Sequence, residues 1–258
     1  MSLKIVVGTN SLIESQYEAY SNHCQFWFSL GRYYPDINFI MVNPARMGID
    51  NMRNMAAKVA IEAEADYLLF LDDDVLVPLK TGLHGLLSCE SDIAAGNVLI
   101  RGYPFEYMAF TRDLITDSVV KDDYLTLIKD RRHGVTDVDA VGFSFCLIKT
   151  WILRKLAPPW FVTGPNFTED VYFCVKAKKL FPETTIKVNW EVICGHILWH
   201  EVISDSVKDS YKKFFEETHP GLERNNYKIK LTNQVIPYEE LVAMENLKYK
   251  LAPLVAGV

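Results

Sequence analysis

Residues 67–78 read "YLLFLDDDVLVP": an apolar run passes directly into three adjacent aspartates and then turns apolar again. A near-continuous apolar run of this length marks a strand covered on both faces, as in a parallel sheet. Three neighbouring carboxylates repel one another, and none is buried cheaply without a partner. The run predicts the fold, and its end predicts something positive nearby.

Outward from it, "KIVVG" (4–8) and "INFIMVN" (37–43) predict strands. "DNMRNMAAKVAIEAEAD" (50–66) sets Met52, Met55, Ala56, Val59 and Ala60 at helical spacing, with Asp50 available as N-cap. "LHGLL" (83–87) predicts a helix and "DIAAGNVL" (92–99) a strand. "VDAVGFSFCLIKTWI" (138–152) is strand-like, and "TTIKVNWEVICGHILWH" (184–200) gives one strand or a pair. Between them "TEDVYFCVKAKKLF" (168–181) carries a cap residue, two early acids and late basic residues, as a helix does. This alternation predicts an α/β fold: a mostly parallel central sheet with helices on both faces. Residues 101–136 read as an insertion or a loop-rich face. No Gly-, Pro- or Ser-rich linker divides the chain, so one domain over 1–204 with a helical extension over 205–258 packed on it is expected.

With 258 residues, 49% hydrophobic, 23% charged and a net charge of -6, the chain is neither disordered nor membrane-embedded in composition. The start, "MSLKIVVGTNS", lacks a signal peptide's long apolar core, and no apolar stretch is long enough to span a bilayer. Five scattered cysteines without a C-x-x-C pair read as reduced thiols, so a cytoplasmic location is expected. The acidic balance argues against non-specific nucleic-acid binding.

Ligands of open α/β sheets bind beyond the carboxyl ends of strands, where the aspartates fall. On an extended segment Asp72 and Asp74 point the same way, so both can address one ligand, and hard oxygens suit Mg²⁺ or Mn²⁺. The bland alternative is a solvated Asp-rich turn. Glu169 and Asp170 open their helix, where the dipole favours a carboxylate able to act as a general base; ordinary capping explains them equally well. His196, directly after Gly195, offers an imidazole to a borderline metal, or is a structural residue with His200 as its neighbour.

Taken in order, these segments resemble a nucleotide-sugar-dependent glycosyltransferase of the GT-A fold, of the family-2-like kind, over most of residues 4–200. "VVGTNS" is similar to the family's first strand and nucleotide loop. "DNMRNMAAKVAIEAEADYLLFLDDDV" is similar to its Arg-Asn helix and D-x-D strand, "NFTEDVYFCVKAKK" to its ED helix, and "VICGH" to its late metal-binding histidine. The resemblance implies Mn²⁺ or Mg²⁺ on Asp74 and His196, with Asp72 on the ribose or a metal-bound water and Asp73 facing the sugar. It implies that Arg53 and Thr9 hold the nucleotide, that Asp170 deprotonates an acceptor hydroxyl with inversion, and that Glu169 supports it. The donor would be a nucleoside-diphosphate sugar, a UDP-sugar by family habit. The acceptor stays open among glycan, lipid-linked sugar, protein and modified nucleic-acid base, and nothing indicates an oligomer. "VGFSFC" stands where the family has a small Gly-rich stretch, and the Q-x-x-R-W mark of processive synthases is missing. Two rivals are a haloacid-dehalogenase-like Mg-dependent phosphatase and a catalytically degenerate sugar-nucleotide-binding protein. The first is disfavoured by Leu76 at a motif position that takes Thr or Val, and because its aspartates follow the first strand of the fold.

Overall fold

A computed structural model describes residues 2–11, 16–44, 47–115, 122–164, 167–198, 201–218 and 228–230. The chain begins with β1 (Lys4–Asn10), α1 (Tyr17–Tyr33), β2 (Asn38–Val42), α2 (Ile49–Glu62), β3 (Tyr67–Asp72), β4 (Val75–Leu76) and α3 (Gly82–Leu87). It continues with β5 (Ile93–Asn97), β6 (Ala109–Ile115), β7 (Asp122–Leu127), β8 (Val135–Asp137), β9 (Ala140–Val141), β10 (Phe145–Lys149) and α4 (Thr150–Lys155). Then come α5 (Glu169–Leu180), β11 (Ile186–Ile193), β12 (Gly195–Leu198), β13 (Glu201–Ile203), α6 (Lys208–Thr218) and β14 (Lys228–Lys230).

A seven-stranded sheet, in the order β2-β1-β3-β10-β5-β11-β8, forms the centre. β2, β1, β3, β5 and β11 point one way, while β10 and β8 run against them. The apolar run of β3 explains itself by alternation. Leu68 and Phe70 join the core on the side of α2, α4 and α5, while Leu69 and Leu71 join the core on the side of α1 and α3. All four are fully buried. Burying each contributes about 1.5–3 kcal/mol, which is why every position of the strand is apolar until the sheet ends.

Two corrections concern local signals. The N-cap of α2 is Gly48, in extended conformation, and Asp50 lies inside the first turn. The 138–152 run breaks into β9 and β10, and its last residues open α4. Residues 101–136 hold more order than an insertion: β6 and β7 form a hairpin in a second sheet, β14-β7-β6-β9.

α6, the described helix of the 205–258 stretch, rests on the segment after β5. Phe105 meets Tyr211 and Phe215 edge-on, and Tyr103 stacks on Phe215. Glu106 and Lys208, both buried, pair at 3.0 Å. Tyr103, Phe105, Tyr107 and Trp160 are all core residues. Residues 219–227 and 231–258, and His200, lie outside the described set. Among the described residues no helix is long and apolar enough to cross a membrane.

Candidate functional site

The site assembles at the carboxyl edge of β1 and β3. In-register pairing of these parallel strands sets Asn10 beside Asp72. α2 supplies Arg53, α5 supplies Glu169 and Asp170 from its first turn, and β12 supplies His196. β12 reaches the aspartates because it pairs with β4, Gly195 opposite Leu76 and His196 opposite Val75. A Cβ on Gly195 would stand 2.4 Å from Val202 Cγ1 of β13, so a larger residue there would force that neighbouring side chain to move, while the contact toward Leu76 of β4 would be an ordinary 3.5 Å.

The inner half of the site centres on Arg53, whose side chain is 3% exposed. Its guanidinium lies against the rings of Phe70 and Phe143, at 5.2 and 5.4 Å. Nη2 donates to both oxygens of Asp72, at 3.3 and 3.2 Å, and Nε lies 3.3 Å from Glu169 Oε1 without hydrogen-bond alignment. Asn10 Nδ2 also donates to Asp72 Oδ1, at 3.2 Å. Burial opposes the charge on Arg53, yet Asp72, Glu169 and Asp170 outweigh it and raise the guanidinium pKa. Burial pushes the Glu169 carboxyl up to about 7; Arg53 pulls it down, and Asp170 and Asp72 push it up again. One buried cation serves several carboxylates, so its charge only partly offsets the desolvation of Glu169. Asp170 accepts from the Thr168 hydroxyl and, at 2.7 Å, from the Val171 N–H. Thr168 is the N-cap by backbone geometry, and its hydroxyl serves Asp170 in place of a backbone amide.

The outer half surrounds Asp74. β3 ends at Asp72, and Asp73 and Asp74 form a turn, so strand alternation does not extend to Asp74 as the sequence implied. Asp72 faces Arg53 and Asn10, while Asp74 Oδ1 lies 3.4 Å from His196 Nε2 and Oδ2 lies 2.8 Å from Arg101 Nη1. Burial pushes the Asp74 carboxyl up, but the His196 hydrogen bond, its charge and that of Arg101 bring it below the usual range. Asp73, between them, is raised by burial and by both neighbours' charges, against a hydrogen bond from Ser11.

His196 Nδ1 sits 2.6 Å from the Leu99 carbonyl oxygen. A carbonyl only accepts, so Nδ1 carries a hydrogen; Nε2 faces Asp74 as a donor when it too is protonated, and with a lone pair for a cation once that proton is displaced. A backbone acceptor orienting the far nitrogen is the usual support of a metal-bound imidazole. Oxygen and nitrogen 3.4 Å apart lie within reach of one cation bonded to both at about 2.1 Å. The donor set thus fits Mg²⁺ or Mn²⁺ with two protein ligands, phosphate and water completing the shell. Among the described residues no group of three or more His, Cys, Asp and Glu is placed to hold a metal. At the end of β1, Thr9 Oγ1 and Asn10 Oδ1 are buried and have no hydrogen-bond partner among the described residues, as polar atoms awaiting a ligand would.

Two contributors, Arg101 and Asn10, were not singled out in the sequence as site residues, and Asn54 only as the second member of the Arg-Asn pair. Arg101 follows β5 in a stretch that reads as insertion. Asn10 reads as turn chemistry. Asn54, beside Arg53, accepts from the Trp160 and Phe161 amides at 2.8 and 3.2 Å and donates to the Phe161 carbonyl at 2.7 Å, fixing the approach to α5. The late basic residues of α5 are engaged within the fold: Lys176 donates to the Ala157 and Pro159 carbonyls, and Lys178 to the Val138 carbonyl and Asp139.

No protein-family model matches the chain, and no curated protein does. Among solved structures, A197 from STIV is similar over 79% of this chain and 91% of its own, with a TM-score of 0.52 and 18% identity. This likeness shows a shared fold. A protein described as a nucleotide-diphospho-sugar transferase from Desulfovibrio desulfuricans G20 (TM-score 0.36, 9% identity, 74% of this chain and 80% of that one) is more distant. So is an apo UDP-glucose pyrophosphorylase (TM-score 0.37, 7% identity, 82% of each chain). At that distance neither bears on activity.

Proposed function

We propose that the chain is a metal-dependent glycosyltransferase of the GT-A kind, moving a sugar from a nucleoside-diphosphate sugar to an acceptor hydroxyl. The observation that carries this reading is the convergence of Asp74 with a histidine 122 positions away (196 − 74), its Nδ1 held by a backbone carbonyl. The order of motifs, D-x-D then ED then Gly-His, supports it. The reading keeps 1–204 as the catalytic unit and 205–258 as an appendage, whose described helix α6 packs on Tyr103, Phe105, Glu106 and Tyr107.

In the proposed reaction the acceptor oxygen attacks the anomeric carbon and loses its proton to Asp170. The bond from that carbon to the phosphate oxygen breaks, and the nucleoside diphosphate leaves with the electron pair. Direct displacement inverts configuration. Asp74 and His196 would hold Mn²⁺ or Mg²⁺, which when bound supplies Lewis-acid stabilisation of the leaving diphosphate. Thr9, Asn10 and Asp72 border the nucleotide, with uridine as the favoured base, and Asp73 borders the sugar. Arg53 is too buried to reach a nucleotide except through Asp72, and it fixes Asp72 and Glu169 in one frame. The Thr168 hydroxyl and Val171 amide aim the base oxygen of Asp170.

A panel of UDP- and GDP-sugars with and without Mn²⁺, scored for nucleoside-diphosphate release, tests the reading. Release is expected to require metal, to vanish in Asp74→Ala and to slow about 10²–10⁴-fold in Asp170→Asn. Metal-independent turnover of simple phosphate esters would point to the phosphatase rival.

A further inference from the structure

Among the described residues Arg101 is the side-chain ion-pair partner of Asp74 that belongs to none of the motifs. Its side chain is 55% exposed, and its Nη1 lies 2.8 Å from Asp74 Oδ2, on the other oxygen from His196. The main chain beneath it is firm. The Leu99 carbonyl holds His196, Ile100 donates to the Glu106 carbonyl at 2.9 Å, and Glu106 is buried against Lys208. A fixed backbone thus carries a long, solvent-reaching cation to the carboxylate that would receive a metal. A divalent ion on Oδ1 and a guanidinium on Oδ2 of the same carboxylate repel each other, which weakens the hold of Asp74 on Arg101.

We propose that Arg101 is a phosphate-binding residue that rests on Asp74 in the free protein and transfers to the donor's diphosphate when metal and nucleotide bind. This deepens the glycosyltransferase reading and rests on it. The chemistry suits the exchange. An exposed arginine–carboxylate pair is weakly held, whereas a guanidinium matches the paired oxygens of a phosphate bidentately. From its position beside Asp74 the side chain would meet the diphosphate from the side opposite His196 and add positive charge where the leaving group gathers negative charge.

The proposal makes two binding constants move in opposite directions when Arg101 is removed, which loss of structure does not do. Calorimetry on the full chain measures Mn²⁺ alone, then UDP or GDP (whichever the wild type binds more tightly) at saturating Mn²⁺. In Arg101→Ala, Mn²⁺ alone is expected to bind about two- to five-fold more tightly, because its competitor on Asp74 is gone. The nucleoside diphosphate is expected to bind about ten-fold more weakly. Arg101→Lys, which keeps the charge and loses the fork, should recover part of the nucleotide affinity. If the wild type binds both and Arg101→Ala leaves both constants unchanged, or moves them the same way, the Arg101 assignment falls and the glycosyltransferase reading stands. If the wild type takes up neither Mn²⁺ nor a nucleoside diphosphate, both fall together.

Discussion

Asp72 and Asp74 sit two residues apart on one chain, and their surroundings have little in common. Asp72 closes a strand and meets Arg53, an arginine 3% exposed and sandwiched between Phe70 and Phe143. Asp74 lies on the turn and meets a carbonyl-anchored imidazole and an arginine 55% exposed. In the inner region charge is neutralised by a partner that cannot leave, which gives geometry. In the outer region the partners are one carbonyl-anchored imidazole and one solvent-exposed arginine, the setting in which the proposed exchange would occur. One tripeptide thus spans the boundary between scaffold and ligand shell.

The contrast is broken most forcefully through Arg53. Arg53→Met leaves Asp72 and Glu169 desolvated without their cation and is expected to cost about 3–5 kcal/mol in urea unfolding. Adding Glu169→Gln should return part of the loss. A cost near zero would show that the inner carboxylates are solvated and that the two regions do not differ.

Acid–base behaviour gives the next largest effect. The folded-state pKa of Glu169 is raised from 4.5 to about 7, so between those values the folded chain binds a proton that the unfolded chain has released. Stability is therefore expected to fall as pH rises through that window, by at most about 3 kcal/mol, and to lose this slope in Glu169→Gln. Unfolding titrations at pH 5, 6 and 7 check it. A wild-type slope of the opposite sign would mean that Arg53 dominates Glu169 after all.

The smallest effect comes from making one chemical change at both ends of the tripeptide. Asp72→Asn weakens the charge-assisted bonds to buried Arg53 and should cost about 2 kcal/mol. Asp74→Asn removes one of three adjacent negative charges and an exposed arginine partner, and should change stability by less than about 1 kcal/mol. Equal costs would erase the distinction between the two regions.

The parts of this arrangement that were legible in the sequence are those written in periodicity. The unbroken apolar run of β3 announced a sheet covered on both faces, and Leu68 to Leu71 divide between the two cores as alternation requires. The helical spacing of α2 and the capped start of α5 were equally plain. What stayed hidden depends on partners distant in sequence. β6 and β7 gain their order from pairing with each other and with β9 and β14. Strand alternation suggested that Asp72 and Asp74 share one face; the aspartates equally allowed a turn, and the chain takes it at Asp73–Asp74. The resemblance implied that Arg53 holds the nucleotide, but not its burial, which depends on Phe143, 90 positions later (143 − 53), closing over it. Arg101 had no signal of its own, since a single arginine in a mixed stretch reads as solvated.

The central claim is that a cation is gripped by a carboxylate from the β3–β4 turn and an imidazole from β12. Pulsed electron paramagnetic resonance on bound Mn²⁺ tests it directly through nitrogen coupling. The account predicts modulation from a histidine nitrogen in the wild type that disappears in His196→Ala. Mn²⁺ bound without nitrogen coupling, or with coupling that survives that substitution, would contradict it.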